Sequence, residues 1–331
     1  MKKFLPIIIG MLLTTCVFGQ NPNLGASGAQ FLEIPVGARA TALGGAFVGL
    51  SDDITSVFWN PAGIGNIKNK AAHFSYMRYF EMFDLNAAAF AINFEDVGSI
   101  AVSVLVFSMD KMEVTNENNP NGTGRFFDAQ DLAVGLTYAK NLTDRFTVGL
   151  TMKYVSQRIW NETASGVAFD VGTKYRLDFQ NLTIAMRMSN FGPDLRFDGE
   201  DLNVTHDINS NIPLNRLTPA RLMTDDYPLP LCFQVGIAID LYNSTFLKIR
   251  SAIDAVHPND NRERVNFGTE FTFFDRLFLR GGYKYNYDDE DFTFGAGVNL
   301  PVAGNVVFFD YAYSLYDILP SVHRISLGMT F

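Results

Sequence analysis

Four histidines could carry proton or metal chemistry, His73, His206, His257 and His323, and none stands at ligand spacing from a cysteine or an acid. No Gly-x-Ser-x-Gly elbow, phosphate-binding loop or dinucleotide fingerprint occurs, and Gly295-Ala296-Gly297 lies inside an alternating stretch. The chain therefore reads as non-enzymatic, with no cofactor and no metal site. Charges of another kind stand out. Lys153, Asp170, Lys174, Arg187, Arg250, Glu270 and Arg280 fall in the polar phase of otherwise apolar stretches, as do Arg176, Asp240, Lys248, Asp254, Lys284 and Asp310. Gathered on one face, opposite charges pair across neighbouring strands; conduction or substrate binding by any one of them is the alternative reading.

The elements that would position these charges have period two. Leu231, Phe233, Val235, Ile237, Ile239 and Leu241 alternate with Cys232, Gln234, Gly236, Ala238 and Asp240. Val265, Phe267, Thr269, Phe271 and Phe273 alternate with Asn266, Gly268, Glu270 and Thr272. Such alternation gives a strand one apolar and one polar face. Fourteen segments follow the rule: 72–80, 85–95, 98–110, 129–140, 145–158, 164–177, 180–191, 230–241, 244–255, 264–274, 277–287, 290–300, 304–316 and 322–331. Most are about twice the length of an ordinary globular strand and match the roughly 9–11 residues that cross a bilayer.

The connections alternate between tight and long. Turns near Glu95–Gly98, Asn141–Asp144, Asp178–Gln180, Tyr242–Ser244 and Asp275-Arg276 are tight, whereas 111–128, 159–163, 192–229 and 256–263 are longer. Short inner turns facing longer outer loops are the asymmetry of an outer-membrane barrel. Closure is required as well, because lipid cannot satisfy an open sheet edge. The fold class is thus all-β, a 14-stranded antiparallel transmembrane β-barrel over 71–331, with 192–229 as its long extracellular loop. Tyr138, Tyr154, Tyr175, Tyr285 and Tyr313 are assigned to an aromatic girdle.

Composition agrees. Of 331 residues, 18% are charged and 14% aromatic, with 30 Phe and 13 Tyr. A helical polytopic protein is excluded, since no apolar run reaches the length of about 18 residues that a spanning helix needs. The formal charge of −9 argues against nucleic acid as a partner. Residues 1–19 have the basic start (Lys2, Lys3), apolar middle and small terminal residues of a signal peptide cleaved near Gly19. Leu13-Thr14-Thr15-Cys16 matches a lipobox poorly, since Thr15 precedes the cysteine. Cleavage leaves Cys232 as the only cysteine and permits no internal disulfide.

Residues 20–70 do not alternate and are rich in small residues, including Gly37, Ala38, Ala40, Ala42, Gly44, Gly45 and Ala46. Such a segment, too polar to cross lipid, suggests a plug packed inside the barrel. The ordered series Phe31-Leu32-Glu33-Ile34-Pro35, Gly37-Ala38-Arg39-Ala40, Ala42-Leu43-Gly44-Gly45-Ala46, Asp52-Asp53 and Trp59-Asn60-Pro61-Ala62-Gly63 resembles the PorV/PorQ family, within the wider FadL-like outer-membrane barrels. Terminal Phe331 and the strand count extend the likeness along the mature chain.

The resemblance implies an N-terminal hatch. Its motif residues Arg39, Gly44, Gly45, Asp52, Asp53, Asn60, Pro61 and Ala62 would be structural or would gate ligand or cargo. It also implies a place in the outer membrane of a Bacteroidota-like Gram-negative cell, among outer-membrane lipid, as a type IX secretion component. Such a component would bind or shuttle secreted cargo, with secretion-system proteins or C-terminal signal domains as partners. The wider family offers the alternative of a passive transporter of hydrophobic small molecules.

Overall fold

The computed structural model describes residues 24–80, 82–206 and 218–331. The expected signal peptide and its cleavage point near Gly19 lie outside these residues, as does part of the 192–229 loop. Among the described residues, fourteen long strands close into one antiparallel barrel. They are β1 Lys70–Tyr79, β2 Phe83–Phe94, β3 Gly98–Met109, β4 Ala129–Asn141, β5 Phe146–Ile159, β6 Glu162–Arg176 and β7 Thr183–Phe191. The second half comprises β8 Cys232–Asn243, β9 Leu247–Pro258, β10 Arg264–Phe273, β11 Leu277–Tyr285, β12 Glu290–Val302, β13 Asn305–Tyr316 and β14 Val322–Thr330. Each pairs with its sequence neighbour, and β14 returns to β1 through Ala71 opposite Thr330 to Met77 opposite Arg324, so no long edge is left open.

Alternation decides which face is which. On β8, Phe233 and Ile237 are exposed, while Cys232, Gln234 and Ala238 between them are buried. On β10, Phe267 and Phe271 face out, and Asn266 and Glu270 face in. This inversion, with apolar residues outside and polar residues inside, is the pattern of a barrel whose solvent is lipid.

Two boundaries depart from the period-two reading. The alternation starts β7 at 180, but Gln180 and Asn181 have φ of 48° and 50°, so a short 3-10 turn, Phe179–Asn181, precedes the strand. A strand cannot run through left-handed backbone. The outer connection read as 159–163 is only Trp160 and Asn161, with Trp160 at φ 54°. That turn is as tight as the inner ones, so the alternation of short and long connections is not strict. Tyr154 lies well inside β5 rather than at a strand end, whereas Tyr175 and Tyr285 do lie at ends.

The N-terminal segment folds into short turns against the inner faces of these strands. It contains the helices α1 Ala38–Ala42 and α2 Ser56–Trp59, and a 3-10 turn over Pro61–Asn66. Trp59 donates its indole N–H to the Val36 carbonyl at 2.8 Å and meets Phe47 edge-on, which ties the two halves of the segment together. The outer loop after β7 adds a short ribbon, Asn203–His206 against Thr218–Arg221.

Candidate functional site

Arg39 sits in α1, buried, where a bare guanidinium would be very costly. Its Nη1 donates to Asp52 at 2.6 Å and to Asp53 at 2.5 Å, and its Nε donates to Glu270 of β10 at 3.0 Å. Glu270 also accepts from Arg250 of β9 and, at 2.7 Å, from Nε of Arg280 of β11. Arg250 returns to Asp52 at 2.7 Å, and Arg280 reaches Asp310 of β13. Three arginines and four carboxylates thus form one lattice joining the N-terminal segment to four wall strands. Burial works against the charge on Asp52, but Arg39 and then Arg250 outweigh it and hold its carboxyl well below the usual range. Lys174 of β6 donates to the Ser51 carbonyl and extends the lattice.

Close backbone approach completes the seat. Gly44 has φ 67°, and a Cβ there would come within 3.0 Å of the Phe267 carbonyl and the Tyr283 amide. Across the contact, a Cβ on Gly282 of β11 would stand 2.0 Å from the Gly44 nitrogen. Glycine is therefore required on both sides: for the left-handed turn at Gly44 and for bare approach at Gly282. Gly45, also left-handed at φ 77°, packs beside Trp59 and Asn266. Asn60 is wholly buried and its amide is fully used. Its Oδ1 accepts from Ala62 N at 3.1 Å, and its Nδ2 donates to the carbonyls of Val48 and Thr173 at 3.1 and 3.3 Å. Pro61 follows at the first position of the turn, where its missing N–H costs nothing.

Two cavities flank this level. The one beside the inner turns, of about 1030 Å³, is polar and includes Asp144, Arg145, Arg176, Asp240 and Lys248. The one towards the outer loops measures about 560 Å³. Its apolar wall includes Phe58, Trp59, Phe107 and Tyr316, and its charges include Glu33, Lys153, Asp170, Arg187, Arg264 and Lys284. Here Lys153 pairs with Asp170 at 2.8 Å and Lys284 with Glu290 at 2.5 Å. Burial pushes the Glu33 carboxyl up to about 7 with help from Asp260, against the opposite pull of Arg264 and Arg187.

The residues singled out from sequence therefore fall into two groups. Arg39, Asp52, Asp53, Arg250, Glu270 and Arg280 meet in the lattice, with Lys174 at its margin, and Gly44, Gly45, Asn60, Pro61 and Ala62 form the backbone seat. Lys153, Asp170 and Arg187 lie apart, in the outer cavity. Arg264 and Arg324 were missed, although both stand in the polar phase of their strands, two residues before Asn266 and Ser326 respectively. The histidines do not converge: His257 faces Glu263 at 3.5 Å, and His323 meets the Tyr311 hydroxyl at 2.6 Å. No group of metal-ligating side chains occurs among the described residues.

A closed fourteen-stranded barrel, apolar outside and lined with charge inside, defines an outer-membrane β-barrel protein. The chain belongs to the family described as type IX secretion system protein PorV, whose model matches residues 19–215. No curated protein matches it. Among solved structures it is similar to the toluene transporter TbuX of Ralstonia pickettii, at 12% identity and a TM-score of 0.57, covering 89% of this chain and 97% of that one. It is also similar to a FadL homologue of Pseudomonas aeruginosa, at 10% identity and a TM-score of 0.53, over 90% and 98% of the two chains. The toluene transporter TodX of Pseudomonas putida aligns at 11% identity and a TM-score of 0.51, over 87% and 96%. At such identities the likeness is one of fold.

Proposed function

We propose that this chain is a non-enzymatic component of type IX secretion that binds or shuttles secreted cargo at the outer membrane. In this reading residues 20–70 are a hatch that closes the barrel, and the outer loops, chiefly 192–229, are the docking surface. Family membership over residues 19–215 carries the reading. The lattice around Glu270 supports it, because a segment tied to four strands suits a scaffold better than an open conduit. The exposed apolar residues Leu222, Met223 and Ile318 in the outer loops give a protein partner something to bury. Partners would be cargo signal domains and other secretion proteins.

A second reading, passive passage of hydrophobic small molecules, is favoured by the apolar wall of the outer cavity and by the fold shared with toluene transporters. Deleting the gene and assaying surface delivery of secreted proteins alongside uptake of hydrophobic compounds separates the two. Loss of delivery with intact uptake is expected; normal delivery with lost uptake overturns the secretion reading.

A further inference from the structure

Residues 24–30 are held between two outer loops. The Gly25 N–H donates to the Asp260 carbonyl at 3.1 Å, and the Gly28 N–H to the Pro228 carbonyl at 3.0 Å. Asp260 is only 5% exposed, and its Oδ2 accepts from the Ser27 hydroxyl and, at 2.6 Å, from the Gln30 side-chain amide. Both donors are neutral. The Tyr227 ring lies on Gly28 so closely that a Cβ there would stand 2.2 Å from its Cδ2. That ring is itself tied down, since its hydroxyl donates to Gln157 of β5 at 3.0 Å and its backbone is bonded both ways to Leu195 at 2.8 and 2.9 Å. These are the contacts of a bound peptide more than of a packed core: main-chain bonds to loop carbonyls, a bare glycine beneath an aromatic ring, and Leu24, Gly25 and Ala26 left exposed.

We propose that the cleft formed by Tyr227, Pro228 and Asp260 is a peptide site which residues 24–30 occupy as a resident ligand, and that a small-residue segment of a secreted partner displaces them. The inference rests on the reading of the outer loops as a docking surface and names what that surface recognises. The incoming segment needs a glycine to pass beneath Tyr227, main-chain N–H groups for the two loop carbonyls, and a donor for Asp260. A tethered segment competes at about millimolar effective concentration, so the newcomer must gain something the resident lacks. An ammonium in place of the neutral Gln30 amide supplies it, because a charge-assisted bond to the Asp260 carboxylate is roughly twice as strong as a neutral one. Phe31, next in line, is buried in one apolar cluster with Leu195 and Leu229 of the same loop. Exchange at the cleft therefore loosens the N-terminal segment at its first large buried side chain.

The test uses the full chain in lipid nanodiscs and a fluorescent peptide of residues 24–32, with binding read by anisotropy and release of the resident segment by hydrogen exchange. Gly28→Val in the chain should expel residues 24–30 and open the cleft, so that the peptide binds saturably and at least about tenfold more tightly than to the wild type. A Gln30→Lys peptide should bind the opened chain about tenfold more tightly still, and Asp260→Ala added to that chain should remove this gain. A Gly28→Val peptide should not bind. Heat-modifiable migration checks folding; should Gly28→Val in the chain fail it, Ser27→Ala with Gln30→Ala, which removes both side-chain bonds to Asp260, takes its place. Equal binding to the wild-type and opened chains, unimpaired binding of the Gly28→Val peptide, or a Gln30→Lys peptide indifferent to Asp260→Ala would overturn the proposal. Such a failure leaves the secretion reading standing, because that reading is decided by the gene-deletion assay.

Discussion

Around the N-terminal segment, Arg39, Arg250 and Arg280 each meet at least one carboxylate, whereas towards the outer mouth Arg187 and Arg264 of the same lumen meet none. The first arrangement joins parts of the chain that are far apart in sequence, since Arg39 and Glu270 are separated by 231 positions. Buried ion pairs of this kind add little net stability over an apolar packing, but breaking one leaves a stranded charge. They therefore fix position more than they add energy. The second arrangement makes no ion pair, and its charge acts on Glu33 of the N-terminal segment only at a distance.

Removing the centre of the lattice should have the largest effect. Glu270→Ala removes the one carboxylate that three buried arginines share, leaving Arg39 to Asp52 and Asp53, Arg250 to Asp52 and Arg280 to Asp310, and should cost about 3 kcal/mol. The temperature at which the folded band converts on a heat-modifiability gel should fall markedly, and residues 24–69 should become open to protease. Gly282→Val should come next, at about 1–3 kcal/mol for overpacking, because its Cβ meets the Gly44 nitrogen. The expected sign is the same protease cut appearing in an otherwise intact barrel.

Asn60→Ala removes a turn cap and leaves the Val48 and Thr173 carbonyls short of a donor, for about 1–2 kcal/mol in urea unfolding in detergent micelles. At the small end, Arg145 and Asp178 form an exposed pair, 51% and 78% accessible, at the inner turns. Arg145→Ala should cost less than about 1 kcal/mol, falling further in high salt. A loss in Arg145→Ala as large as that in Glu270→Ala would erase the distinction between the two kinds of pair.

Glu33 supplies a pH test of the outer level. Its carboxyl is raised from 4.5 to about 7 on folding, so the folded state holds a proton that the unfolded chain has released between those values. Stability should fall as pH rises through that window and level off above it. Glu33→Gln should flatten this part of the profile, measured by urea midpoints from pH 4 to 8; an unchanged slope would remove Glu33 as its source.

The barrel itself was legible because lipid imposes a rule on every second residue. Phe233, Ile237, Phe267 and Phe271 declare the outside, and the charges in the other phase declare the lumen. The tight Trp160-Asn161 turn and the 3-10 turn before β7 were hidden, since each depends on single residues with positive φ that no alternation marks. The motif residues of the N-terminal segment were also visible, but their partners were not. Nothing along the chain says that Arg39 rests on Glu270, or that Gly44 meets Gly282, because both contacts follow from barrel closure. Arg264 could have been found by carrying the polar phase of β10 back two residues from Asn266.

The proposed closed hatch over residues 24–69 depends on the lattice that ties this segment to the wall. Planar-bilayer recording of the purified chain beside Glu270→Ala tests it most directly. A closed hatch gives no steady conductance in the wild type and ion-conducting openings in the variant. A wild-type barrel that conducts continuously, with the variant no different, would contradict it.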